Sequence, residues 1–146
     1  MKRLLCLLPL FVLAACHGSR VPQHYAETDT LPQLYPDYAG VTVPQNMAPL
    51  RFHIEDEADG YVTRLSAGRA SYTFGSRDVC PGIKAWRRMA AQAGDILAEV
   101  FLRRADGTWQ RMRPFSIHVS PDTINPYLAY RLIAPSYVAY EDLTIC

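Results

Sequence analysis

The chain has 146 residues, 49% of them hydrophobic and 20% charged, with 15 Lys and Arg against 14 Asp and Glu. That composition suits a single globular domain and excludes disorder throughout. A formal charge of +1 gives no broad basic footprint for nucleic acid, and no sequence signature of catalysis stands out.

Met1-Lys2-Arg3 is a short basic start to an apolar run from Leu4 to Ala15. A dozen helical residues span only about 18 Å, against roughly 30 Å of bilayer hydrocarbon. Residues 1–15 therefore read as a signal peptide, not as a membrane-spanning anchor. The run ends Leu13-Ala14-Ala15-Cys16, which resembles the lipobox of bacterial lipoproteins. Small side chains before the cysteine fit a narrow peptidase pocket. The Cys16 thiol is the nucleophile that takes a diacylglyceryl group, and cleavage before it frees an amine for a further fatty acid such as palmitate. Two or three chains, at about 0.8 kcal/mol per buried methylene, moor a domain where one would be marginal.

Cleavage there removes two basic residues, Lys2 and Arg3, and no acid. No polybasic stretch that would grip anionic lipid is evident between Cys16 and Cys146. Cys16 is succeeded by His17-Gly18-Ser19-Arg20, without the aspartate of an inner-membrane retention signal and without an acidic surface-export tag. The expected location is the outer membrane, on its periplasmic side.

Residues 16–35 contain Pro22 and Pro32 and lack a hydrophobic period, so they read as an extended, lipidated tether. Residues 36–146 form the expected domain. Pro36, Pro44 and Pro49 confine the segment between them to an edge-like position. Leu50–Ile54 alternates, an acidic turn at 55–60 leads to Tyr61–Leu65, and a further strand is expected near Ala70–Phe74. Ile83–Ala93 is the one helical candidate, with Trp86, Met89 and Ala90 on one side and Gly94 as its stop. Ile96–Arg103 is the strongest strand; Asp106-Gly107 marks a hairpin turn into Trp109–Met112. Phe115–Val119 and Tyr127–Ile133 complete the set. Seven or so short strands with regular turns predict an all-β, immunoglobulin-like β-sandwich with one short helix.

Several constellations invite chemistry. Glu55-Asp56-Glu57-Ala58-Asp59-Gly60 matches the opening of a calcium loop, yet Ser66 stands where the bidentate glutamate belongs, so a solvated acidic turn is the better reading. Ser116, His118 and Ser120 share a strand face with Asp122 just beyond, but no nucleophile elbow accompanies them. The reading is non-enzymatic, with no metal or cofactor. Cys80 and Cys146 could pair in an oxidising compartment, closing a loop worth about 4 kcal/mol; free thiols or an intermolecular bond are the alternatives. Arg87, Arg88, Arg103, Arg104, Arg111 and Arg113 could form a basic surface, although such arginines usually pair with acids or cover apolar edges. Trp86 and Trp109, with Tyr127, Tyr130, Tyr137 and Tyr140, suggest sandwich core and a docking face, or a carbohydrate-stacking platform.

Five segments share one pattern: Tyr35 to Phe52, Trp86 ahead of Gly94, Gly107-Thr108-Trp109, Arg113-Pro114-Phe115, and Asn125-Pro126-Tyr127 through Tyr130-Arg131-Leu132-Ile133 to Tyr137. Their pattern resembles the N-terminal module of TolB-like, β-propeller repeat lipoproteins of the Bacteroidetes envelope. The Pro36-Asp37-Tyr38 and Tyr130–Ile133 blocks are its most specific parts. The resemblance implies a lipid-anchored, non-enzymatic accessory or interaction module that normally precedes a propeller; no propeller blade is present in this sequence. Its partners would be the membrane through Cys16 and an envelope protein or the missing propeller, docked around Tyr127–Tyr140. The alternative function is a glycan-binding module on the cell envelope.

Overall fold

The computed structural model describes residues 19–92, 94–125 and 127. These form ten strands and one helix, in the order β1 (Ala26–Glu27), β2 (Leu34–Tyr35), β3 (Thr42–Pro44), β4 (Phe52–Ile54), β5 (Gly60–Ala67), β6 (Ala70–Phe74), β7 (Asp78–Val79), α1 (Ile83–Ala90), β8 (Gly94–Arg103), β9 (Trp109–Arg111) and β10 (Phe115–Ser120). The fold is mostly β, with its sheets in a sandwich-like arrangement.

β8 is the central strand of the larger sheet. One edge takes β5 in antiparallel register from Gly60↔Arg103 to Ser66↔Leu97, and β6 continues beyond β5. The other edge is shared. β9 pairs with the end of β8 and β10 with its start, and Met112 bridges them by donating its N–H to the Val100 carbonyl at 2.9 Å. Pro114 has no N–H to give the ladder, which accounts for the break between two strands that otherwise follow one line. Parallel edge strands flank this side, β1 on β9 and β3 on β10. The second sheet is small, in the order β2-β4-β7.

Alternation decides the two faces of the large sheet. Leu65, Ile96, Ala98, Val100, Leu102, Phe115, Ile117 and Val119 point inward and are buried with Leu34, Phe52, Ile54 and Val79 of the small sheet. Phe52 and Phe115 meet edge to face across the gap, their centroids 6.3 Å apart. α1 adds Trp86, Met89 and Ala90 to the same core, the helical spacing expected from sequence.

Three expectations are corrected. The tether does not lead away from the domain along its whole length: β1 hydrogen-bonds β9, β2 hydrogen-bonds β4, and Leu34 is buried. Apolar side chains such as Leu31 and Leu34 are too sparse to show a period, yet they gain by packing onto a core already built. The helix is shorter than 83–93, ending at Ala90 with Ala91 as its cap. Gly94 is no helix stop but opens β8 at φ +121°, a conformation that favours glycine. The expected strand Tyr127–Ile133 lies outside the described residues apart from Tyr127.

Candidate functional site

The outer face of the large sheet carries most of the polar chemistry. β8 sends Asp95, Leu97, Glu99, Phe101 and Arg103 to this side, and the register sets Arg64 beside Glu99 and Arg111 beside Phe101. Glu99 is only 4% exposed. It accepts from Arg64 Nε at 2.5 Å and forms an ion pair with Arg111, whose Nη2 stands 3.0 Å away, while Arg111 Nη1 donates to Glu27 of β1 at 2.8 Å. Phe101, 1% exposed, is covered by Tyr25, whose ring meets it edge-on with centroids 5.2 Å apart. The segment ahead of β1 therefore straps this face. Its first described residue, Ser19, sits against Gly75 after β6.

Where strap and sheet meet, His24, Tyr25 and Ala26 face Gly107, Thr108 and Trp109 across an open cleft. Trp109 is half-buried and lies over Gly60, where a Cβ would stand 3.5 Å from the indole. Beside the cleft, Asp106 closes the β8–β9 turn by accepting from the Thr108 N–H at 2.9 Å and its hydroxyl at 2.6 Å. Those two hydrogen bonds hold its carboxyl below the usual aspartate range.

The two tryptophans thus part company. Trp86 is 1% exposed and donates its indole N–H to the Met47 carbonyl at 3.0 Å, so it has no ring face to offer a sugar. Trp109 keeps one edge of an accessible cleft. Tyr127 is 87% exposed. Tyr130, Tyr137 and Tyr140 lie outside the described residues, as do Cys16 and Cys146. Cys80 is exposed and forms no disulfide among the described residues.

The serine–histidine neighbourhood divides into two separate pairs. His118 Nδ1 is 2.7 Å from Asp95 across the β8–β10 pair, whereas Asp122 accepts from Ser120 at 2.9 Å. His53 and Asp78 form a like pair on the small sheet at 2.9 Å. In the acidic turn, Glu57 is engaged by Arg77 at 3.0 Å and Asp56 accepts from the Gln33 N–H at 2.7 Å. Among the described residues no group of three His, Cys, Asp or Glu side chains is placed to hold a metal ion.

The run of arginines also splits. Arg104 donates to the Gln110 amide oxygen, Arg111 donates to Glu27 and pairs with Glu99, and Arg113 stands 3.6 Å from Asp29. Arg87 and Arg88 are exposed on α1, away from these pairs. Sequence reasoning missed Tyr25, His24 and Glu99. Glu99 was findable, because a lone acid inside Ile96–Leu102 must face something, and period two puts it on the side away from Ala98 and Val100. Comparison with protein-family models, with curated proteins and with solved structures finds no match to this chain.

Proposed function

We propose that the chain is an envelope lipoprotein: Cys16 carries the acyl anchor, and the β-rich body is a non-enzymatic accessory or interaction module held at the outer membrane, on its periplasmic side. The observation that carries the reading is the basic start, the short apolar run and Leu13-Ala14-Ala15-Cys16. Among the described residues no helix is long and apolar enough to cross a membrane, and the proposed attachment needs none. The immunoglobulin-like character of the sandwich, and the kinship with the N-terminal module of TolB-like propeller lipoproteins, belong to this proposal. So does docking of a propeller or envelope protein near Tyr127. The test is the mass of the product recovered from membranes: a chain beginning at Cys16 with a diacylglyceryl and an amide-linked fatty acid is expected. An unacylated chain still carrying Met1 would overturn the reading.

A second reading, a glycan-binding module, is favoured by the cleft between Trp109 and Tyr25. An indole and a phenol at one opening offer apolar faces for sugar C–H groups, and His24 adds a polar edge. In this reading the ligand rests on Trp109 and not on Trp86. Binding to an envelope glycan array that is lost in Trp109→Ala and kept in Trp86→Phe is expected. Loss in neither variant would remove the glycan reading.

A further inference from the structure

Folding gathers cations that the sequence scatters. Lys84, Arg87 and Arg88 lie three and four residues apart on α1, on the side opposite Trp86, Met89 and Ala90, and all three are exposed. Like charges at that spacing weaken a helix, and the first turn holds no acid to offset them. The β5–β6 turn adds Arg69. Its neighbour Gly68 lies against Gln92, just past the end of α1, where a Cβ would stand 2.8 Å from the Gln92 amide oxygen. None of these four side chains has an ion-pair partner among the described residues, although Arg64, Arg77, Arg111 and Arg113 all do. Ile83, at the start of the helix, leaves 53% of its surface in water beside them. Fold stability does not call for such a surface, since the helix is already held by its buried side.

The strap provides the second observation. Ser19 rests against Gly75 at the end of β6, the strand on which α1 packs. Only His17 and Gly18 lie between Cys16 and Ser19, and the three Cα-to-Cα steps can span at most about 11 Å. β6 is an edge strand of the large sheet, so an acylated Cys16 holds the bilayer close to that edge, which the strap reaches from the outer face and α1 from the inner one.

We infer that the exposed side of α1, with Arg69, rests on the anionic phospholipid headgroups of the membrane that holds the Cys16 acyl chains. Lipid phosphate pairs with Arg69, Lys84, Arg87 and Arg88, and Ile83 enters the boundary between headgroup and acyl chain. The placement of the anchor rests on the lipoprotein reading above; the charge of the surface does not.

The experiment uses the processed chain, residues 16–146, with Cys16→Ser so that no acyl chain contributes. Co-sedimentation is measured with vesicles of phosphatidylethanolamine alone and of phosphatidylethanolamine with one-quarter phosphatidylglycerol. Each basic residue near an anionic surface is worth roughly fivefold in partitioning. Lys84→Gln/Arg87→Gln/Arg88→Gln is therefore expected to lose about a hundredfold on the anionic vesicles, with an unfolding midpoint equal to or slightly above the parent's. Arg103→Gln/Arg113→Gln should bind as the parent does. Raising the salt to 0.5 M should release the parent, because the screening length falls to a few ångströms. Equal binding to both vesicles, or a triple variant that binds as the parent does, overturns the inference. So does tighter binding to a single-stranded oligonucleotide than to the anionic vesicles, which would assign the surface to nucleic acid. An unacylated Cys16 in cells would sink the lipoprotein reading and leave this result standing; a failed vesicle experiment would do the reverse.

Discussion

Arg64 donates its Nε–H to Glu99 at 2.5 Å directly across the β5–β8 pair. The acid is nearly closed to water, whereas the Arg64 side chain keeps 39% of its surface. Arg111 completes the clamp from β9 and ties it to Glu27 of β1. Three strands are thus joined through the Glu99 carboxylate, and Glu27 ties in β1 through Arg111, on the face that Tyr25 also covers at Phe101. Removing one partner from such an arrangement costs more than the pair contributes, because the remaining charges keep their desolvation without compensation.

Glu99→Ala is therefore expected to lower the unfolding free energy by about 3 kcal/mol in a urea titration. Glu99→Gln should fall less, because an amide still accepts from one guanidinium. A loss under about 0.5 kcal/mol, the size of an ordinary surface substitution, would show that the clamp does not close in solution.

Trp86 makes the opposite kind of contribution, by filling space. It joins the helix to the core and reaches the loop after β3 through Met47. Trp86→Ala is expected to cost about 3–5 kcal/mol. Trp86→Phe should cost only about 1 kcal/mol, since Met47 is itself exposed and its carbonyl can turn to water. Thermal unfolding of the two variants checks the ordering. Equal, small losses would mean that the indole is not buried.

Much of the sandwich was legible because alternation and burial agree along Phe52–Ile54, Ile96–Ala98 and Phe115–Val119, whereas from Ala98 to Leu102 both faces of β8 are covered. The β8–β9 turn was legible because Asp106-Gly107 supplies both an accepting side chain and a residue at φ +82°. The strap was not, because β1 and β2 are two residues each and such short pairings leave no periodic trace; they form only against strands built from elsewhere. The helix end was misplaced because Gly94, a familiar stop, is used to open a strand. The surface arginines looked like one cluster because chain distance was the only measure at hand. Pairing sends Arg111 to Glu99 and leaves Arg88 on a helix. The cleft stayed hidden for a related reason: Tyr25 and Trp109 are far apart in sequence and meet only through the parallel β1–β9 pair.

Asp106 gives a pH test with a defined sign. Its carboxyl is held below the ordinary value of 3.8 by the Thr108 hydroxyl and N–H. A group with a lowered folded pKa adds stability that is present above its unfolded value and is lost as the pH falls through the folded value. Any contribution of this turn should thus be constant from neutral pH down to about 4 and fade only below that. Thr108→Val removes the hydroxyl donor and should move the Asp106 midpoint up toward 3.8, read by carboxyl carbon NMR. A midpoint unmoved by Thr108→Val would show that the hydroxyl is not the donor.

The strap itself can be tested at its outer end. A Cβ on Gly75 would stand 1.9 Å from the Ser19 hydroxyl oxygen and 2.7 Å from the Ser19 Cβ, so Gly75→Ala cannot keep Ser19 in place. The core lies elsewhere, and the unfolding free energy should change by no more than about 0.5 kcal/mol. What should change is local protection: trypsin is expected to cut after Arg20 faster in Gly75→Ala than in the parent chain. Ser19→Gly removes both obstructing atoms, so Ser19→Gly/Gly75→Ala should recover the slow cleavage of the parent. Cleavage at one rate in all three chains would mean that Ser19 does not lie on Gly75. The short reach from Cys16 to the domain would then be lost, and with it the argument that places the membrane beside α1.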